Sequence, residues 1–329
     1  MAVITDRENS LAAIEEFRTR GASMAVFCSA SHWNTEAILL AAKRYAEKHN
    51  IERPIVTVAM TFNYHFMPQA QRVTYSGDAP TGFISMMEHL NALAGRDGSP
   101  YADVVVLPHV DHADPEHDRW ALTEGLPYLS TVMFDAQRLP AEENIRLTRE
   151  YVETYGSQVL VEGIMEGLTV EGKAAGALQK EAGSGQGDDY VTRAIEYIEK
   201  TKVDFLVADL GTEQQAATVG AATYMKDRAR ALTKGLGEAR LVLHGTSCLS
   251  EEQMTGLADD GVIRVNMWTR IAREAGQAAA EKLVARIDAI RQNEFEAAES
   301  RAYIHDSIEK AASVMEGALD LFGYASFGN

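Results

Sequence analysis

The sequence predicts an α/β fold, a (β/α)8 TIM barrel with extra C-terminal helices, on three observations. Eight short apolar runs alternate with longer amphipathic stretches. Each run is rich in Val, Ile, Leu or Phe and has the length of a buried parallel strand, ~4–8 residues. Polar and ionisable residues follow six of the runs at the same end, where packing alone would favour apolar ones.

The runs fall at 24–29, 54–60, 104–110, 129–135, 159–164, 205–210, 241–244 and 262–267. Between them, 36–48 places Ile38, Leu39, Ala42 and Tyr45 on one helical face, and 188–201 does the same with Val191, Ile195 and Ile198. Segment 141–155 starts after Pro140 with two acids, a normal helix entry. Segment 250–260 reads as a helix capped by Ser250 and stopped at Gly261. The stretch 270–323 reads as two long helices. An open doubly wound sheet is the alternative, but no GxGxxG follows the first run. The length, 329 residues, suits one barrel of roughly 250 residues plus insertions. No Pro/Gly/Ser-rich linker interrupts it, so 1–329 reads as one domain, with 291–329 a C-terminal helical extension.

Asp plus Glu number 48 against 31 Lys plus Arg, a net charge of −17 that repels phosphate backbones and anionic lipid heads. Nucleic acid and membranes are therefore not expected partners. The two cysteines, Cys28 and Cys248, form neither a zinc-finger spacing nor a disulfide framework. The N-terminus has no basic-then-apolar leader and no run of ~18 apolar residues appears, so a cytoplasmic protein is expected.

In a barrel of this kind the active site gathers at the C-terminal strand ends. After the third run comes His109-Val110-Asp111-His112-Ala113-Asp114. A His there can ligate a metal while a neighbouring Asp moves a proton; the bland reading is an Asp–His pair that braces a loop. His109 and Asp111 share one side of a strand, and His112 faces the other way unless the strand has ended. Asp135 follows the fourth run, and Glu162 lies in the fifth. The sixth run is followed by Gly211-Thr212-Glu213-Gln214, and the eighth ends in Asn266-Met267-Trp268-Thr269. His244-Gly245-Thr246-Ser247 follows the seventh, where glycine admits a ligand close to the backbone and the hydroxyls supply donors suited to a phosphate; the alternative is a plain turn.

These residues carry a family resemblance. Leu107-Pro108-His109-Val110-Asp111-His112 resembles the Leu-His-x-Asp-His motif of the class II fructose-bisphosphate aldolases, with Pro108 inserted or substituted. Ser130-Thr131-Val132-Met133-Phe134-Asp135 resembles the family's Ser-Val-Met-x-Asp strand, and Pro140-Ala141-Glu142-Glu143-Asn144-Ile145 its Pro-x-x-Glu-Asn-Ile helix start. Val161-Glu162, Gly211-Thr212, Leu243-His244-Gly245-x-Ser247 and Val265-Asn266-x-x-Thr269 follow in the family's order over about residues 23–290. The resemblance implies a barrel that forms homodimers or larger homo-oligomers and cleaves ketose phosphates by retro-aldol chemistry with a zinc ion as Lewis acid. It implies Asp111 as the proton-transfer residue and His112 and His244 as metal ligands. Gly245 and Ser247 would hold a phosphate, and Asn266 and Thr269 would complete substrate binding.

The departures bear on the cofactor and the substrate. Gln214 stands where the family's Gly-Thr-x-His supplies a third ligand. The resemblance implies Zn²⁺; an oxygen ligand, from Glu213 if the loop is re-aimed, would favour Mn²⁺ or Mg²⁺; a site without metal is the third reading. Trp268 replaces an acid, and the family's second strand-five Glu is lost to Ile164 or displaced to Glu166. Cys28 and Met60 replace polar residues of the first two strands, so fructose 1,6-bisphosphate itself is disfavoured. The leading expectation is an aldolase-type lyase acting on a ketose or ketose phosphate. The runner-up binds a sugar or sugar phosphate without metal catalysis. A Schiff-base enzyme is weaker, because none of Lys173, Lys180 and Lys202 ends an expected strand.

His32-Trp33 and Phe62-Asn63-Tyr64-His65-Phe66 could line the substrate mouth, although aromatic clusters more often pack. Gly183–187 is no P-loop and reads as an active-site loop or a connector. His49, His89, His117 and His305 read as surface residues.

Overall fold

A computed structural model describes residues 2–170, 188–216, 219–220 and 224–328. Eight parallel strands close into one barrel: β1 (Met24–Cys28), β2 (Ile55–Thr61), β3 (Val105–Ala113), β4 (Thr131–Phe134), β5 (Leu160–Ile164), β6 (Phe205–Val207), β7 (Leu241–Leu243) and β8 (Val262–Met267). Neighbours in sequence are neighbours in the sheet, and β8 returns to β1 with Val26 opposite Asn266. Every residue of these eight strands is buried, which is why the runs are continuously apolar rather than alternating. This is the (β/α)8 architecture expected from the sequence.

Strand lengths differ from expectation at the functional end. β6 and β7 stop at Val207 and Leu243, so His244 lies just past its strand. β3 instead runs on to Ala113 and carries the whole His-x-Asp-His motif. The register explains the extension: Val110 pairs with Val132 and Ala113 with Phe134, so β3 holds one extra residue there. That bulge puts His112 in the left-handed region at φ 48° and re-aims its side chain.

Two helical expectations are also corrected. The helix expected at 36–48 begins at His32, because the Ser31 side chain caps the amide of Asn34. The helix expected at 250–260 is two short pieces, Glu251–Met254 and the 3₁₀ turn Leu257–Asp260. Thr255 is extended and Gly256 takes φ 75°, which breaks the helical path.

The C-terminal part forms the helices Thr269–Ala285 and Ser300–Leu321, joined through the short Ile287–Arg291 and Phe295–Ala298. The last long helix buries Ile308, Ala311, Ala312, Met315 and Leu319 against His32–His49 and Thr269–Ala285. Beyond it, the buried Tyr324 hydroxyl donates to the Ile55 carbonyl at 2.8 Å and accepts from the Ala25 amide at 2.9 Å. The chain end thereby ties β1 to β2. Among the described residues, no helix is long and apolar enough to cross a membrane.

Candidate functional site

A pocket opens at the C-terminal ends of the strands. The residues singled out from the sequence, Asp111, His112, His244, Gly245, Ser247, Asn266 and Thr269, all line it. So do Cys28, Thr61, Tyr64, Gln69, Gln214 and Trp268. Three donor atoms, one each from Asp111, His112 and His244, lie within 4.8 Å of one another, and all three residues are buried. β3 and β7 are four strands apart in the ring, so these side chains meet across the barrel mouth.

His112 is held from two sides. Its Nδ1–H donates to the Asp135 carboxylate at 2.8 Å, because a carboxylate can only accept. That bond fixes the tautomer and leaves Nε2 as a lone-pair donor. Tyr64 stacks on the ring at 4.4 Å with planes 7° apart. Asp135 also accepts from the Gln137 amide side chain at 2.7 Å. Burial opposes charging of His112, but Asp111 and Asp135 outweigh it and raise its pKa.

Asp111 accepts from Asn266 Nδ2 at 3.0 Å on Oδ2, while Oδ1 is buried with no hydrogen-bond partner. Cys28 steadies Asn266 through its thiol, 3.3 Å from Oδ1, and burial pushes that thiol well up, so it acts as a neutral donor. Burial opposes ionisation of Asp111, yet the facing His112, His244 and His109 hold its pKa below the usual value.

The loop after β7 is tightly built. Gly245 has φ 70°, and a Cβ there would come within 3.0 Å of the Glu213 backbone, so only glycine fits. Thr246 donates to the Asn266 carbonyl at 2.9 Å and Thr212 to the His244 carbonyl at 2.6 Å. Ser247 Oγ accepts from the Ala216 amide at 3.1 Å, and among the described residues its own O–H meets no acceptor.

His244 Nε2 is buried without a hydrogen-bond partner, as is Asp111 Oδ1. Two imidazoles and a carboxylate, with His244 Nε2 and Asp111 Oδ1 unsatisfied and His112 Nε2 met only by the Gln214 amide at 3.3 Å, are a donor set that fits a divalent cation. Burial pulls the His244 imidazole down to about 4, from 6.5. In the unfolded chain it takes up a proton near 6.5, so its contribution to stability is fully present above that pH. It is lost as pH falls toward 4. The loss from this group approaches about 3 kcal/mol at pH 4. Urea unfolding of the metal-free protein between pH 7 and 4 should show the slope, and His244→Gln should remove it; equal slopes would refute the assignment.

Beneath this layer lies a second one. Arg264 and Glu162 are essentially unexposed, with Arg264 Nε 3.0 Å from Glu162 Oε1. His109 faces the same carboxylate at 3.8 Å and is held on its other side by Thr131 Oγ1 at 2.7 Å. Burial raises Glu162 to about 7 despite the guanidinium.

Several expectations are corrected here. His32 bonds Ser85 at 3.2 Å and packs edge-on against His89, and Trp33 packs on the core, so neither lines the pocket. Phe62 stacks on Trp120 at 5.6 Å and serves packing, whereas Tyr64 reaches the site. Glu166 pairs with Arg193 at 3.1 Å, and Ile164 is buried in β5, so that segment sends no second carboxylate to the pocket. Gln214 lines the pocket and Glu213 does not. His89 and His49 are half-buried, the latter stacked on Tyr45, while His117 and His305 are exposed. Lys173, Lys180 and Gly183–187 lie outside the described residues. Sequence reasoning gave no part to Cys28 as a thiol donor; only its position at the end of the first run pointed to it.

Comparison with known proteins agrees with the geometry. The family model described as fructose-bisphosphate aldolase class-II matches residues 9–326. The fructose-bisphosphate aldolase of Streptococcus pneumoniae is 27% identical over 237 residues, covering 71% of this chain and 76% of its own length. The Escherichia coli K12 protein YdjI is 25% identical over 232 residues, covering 68% and 72%. Among solved structures, the Campylobacter jejuni fructose-bisphosphate aldolase superposes with a TM-score of 0.73 at 17% identity, over 98% of this chain and 95% of that one. The YdjI aldolase structure gives 0.62 at 20% identity, over 98% and 97%. The likeness of these structures bears on the barrel, and the family match over nearly the whole sequence decides the rest: the chain belongs to the class II fructose-bisphosphate aldolase family.

Proposed function

We propose that the chain is a lyase running aldol and retro-aldol chemistry on a ketose or ketose phosphate, with Asp111 as proton-transfer residue and a divalent metal at His112 and His244. One observation carries the reading: the unpartnered Asp111 Oδ1 shares a buried pocket with two imidazoles that converge on one place. Cleaving the bond next to a carbinol requires a base for the hydroxyl proton. A carboxylate whose pKa is held below its usual value, and which is tied on its other oxygen by Asn266, is such a base. The bound cation supplies Lewis-acid polarisation of a carbonyl. Gly245, Ser247, Asn266 and Thr269 bind the substrate, the Ser247 hydroxyl and nearby backbone N–H groups serving a phosphate or a sugar oxygen.

Zn²⁺ is the first choice by family, and Mn²⁺ and Mg²⁺ are the alternatives. A cytoplasmic homodimer or larger homo-oligomer belongs to the same proposal. So does a single barrel domain with 291–329 as its helical extension, which the packing of Ser300–Leu321 on two barrel helices supports. The second reading, a sugar-binding barrel without metal catalysis, is favoured by one residue only, Gln214 in place of an imidazole. Elemental analysis of the purified protein, with a cleavage screen over ketoses and ketose phosphates in added Zn²⁺ or Mn²⁺, tests the proposal. Stoichiometric metal and metal-dependent release of an aldehyde are expected. Absence of metal, of metal binding and of stimulated cleavage would overturn it.

A further inference from the structure

We infer that Gln214 is itself a metal ligand, through its side-chain carbonyl, and that its amide group reverses between the metal-free and metal-bound states. The inference rests on the proposed metal site. Gln214 Nε2 lies 3.3 Å from His112 Nε2, the nitrogen left free by the bond from Nδ1–H to Asp135. Its Oε1 lies 3.4 Å from the Tyr64 hydroxyl. With His112 neutral and no cation bound this orientation is the sensible one, because the lone pair on Nε2 needs a donor and the amide N–H₂ provides it.

A cation at His112 Nε2 removes that acceptor and repels the amide hydrogens. Rotating the amide by half a turn exchanges its oxygen and nitrogen at nearly fixed positions. The carbonyl oxygen then faces the place where His112 and His244 converge, and the N–H₂ faces Tyr64. The Tyr64 hydroxyl serves both states, because it donates to a carbonyl and accepts from an amide. The same tyrosine stacks on His112, so the pivot and the ligand it accompanies are fixed together. Of the two neighbours it is Gln214 that lines the pocket, and Glu213 does not.

The consequence is selectivity. A neutral amide oxygen in place of a third imidazole makes the donor set harder, which lowers the preference for Zn²⁺ and suits Mn²⁺ or Mg²⁺. The test compares the full-length protein with Gln214→Leu and Gln214→His. Zn²⁺ and Mn²⁺ affinities are measured by competition with a chromophoric chelator, and the Co²⁺-loaded forms by visible absorption. Gln214→Leu should weaken Mn²⁺ binding about tenfold or more. Gln214→His should shift selectivity toward Zn²⁺ by a similar factor, and both should alter the Co²⁺ spectrum, which a residue outside the coordination sphere would leave alone.

Wild-type protein that binds metal, with a Gln214→Leu variant matching it in affinity and Co²⁺ spectrum, overturns this inference and leaves the proposed metal site standing. Wild-type protein that binds none of the three cations overturns both.

Discussion

Asp111→Asn should lower carbon–carbon cleavage by about 10²–10⁴-fold, the range expected when a positioned general base is removed. The substitution keeps the shape of the side chain and an oxygen to accept from Asn266, so the strand geometry survives. What is lost is the capacity of the pocket-facing Oδ1 to take a proton. That atom has no hydrogen-bond partner to forfeit, so the melting temperature should change little. Steady-state kinetics with metal content measured on the same sample separates two roles. A fall in kcat with metal retained identifies a base. A parallel loss of metal would make Asp111 a ligand instead, and unchanged turnover would remove it from the mechanism.

The second large effect concerns the charge layer under the site. Glu162→Leu should destabilise the fold by about 3–5 kcal/mol, because it strands the buried Arg264 guanidinium without a counter-charge. Arg264→Leu should cost less. The Glu162 left behind already sits near neutrality, with burial raising it to about 7, and it can take up a proton where a guanidinium cannot lose one. The double variant Glu162→Leu/Arg264→Leu should recover most of the loss, since a well-packed apolar pair avoids the desolvation cost. Urea unfolding of the three variants checks this. A mild effect of Glu162→Leu, or a double variant worse than either single, would show that the pair is not the counter-charge described.

Much of this was legible in the sequence because the signals were local. Burial on both faces made each strand a continuous apolar run, and the polar residues at Asp111, His244 and Asn266 marked the ends of three of them. Three features were not local. The extra residue in β3 is visible only through its register with β4, so nothing in His109-Val110-Asp111-His112 announced that His112 would turn back into the pocket. The Arg264–Glu162 pair joins strands far apart in the chain, and each residue alone reads as an isolated charge. The helix expected at 250–260 failed because its capping signals were real but its interior held Gly256, whose positive φ outweighed the flanking caps.

The bulge in β3 has a bearing on how the site withstands thermal breathing. Asp111 and His112 are joined by one peptide unit, so their Cα spacing is set by covalent geometry, and the bulge and the Asp135 bond aim the second side chain from the adjacent strand. His244 stands on the opposite wall and keeps its distance only through closure of the barrel. Errors of assembly therefore fall on the joint between the two walls, and the Asp111–His112 half of the site is the less exposed to them.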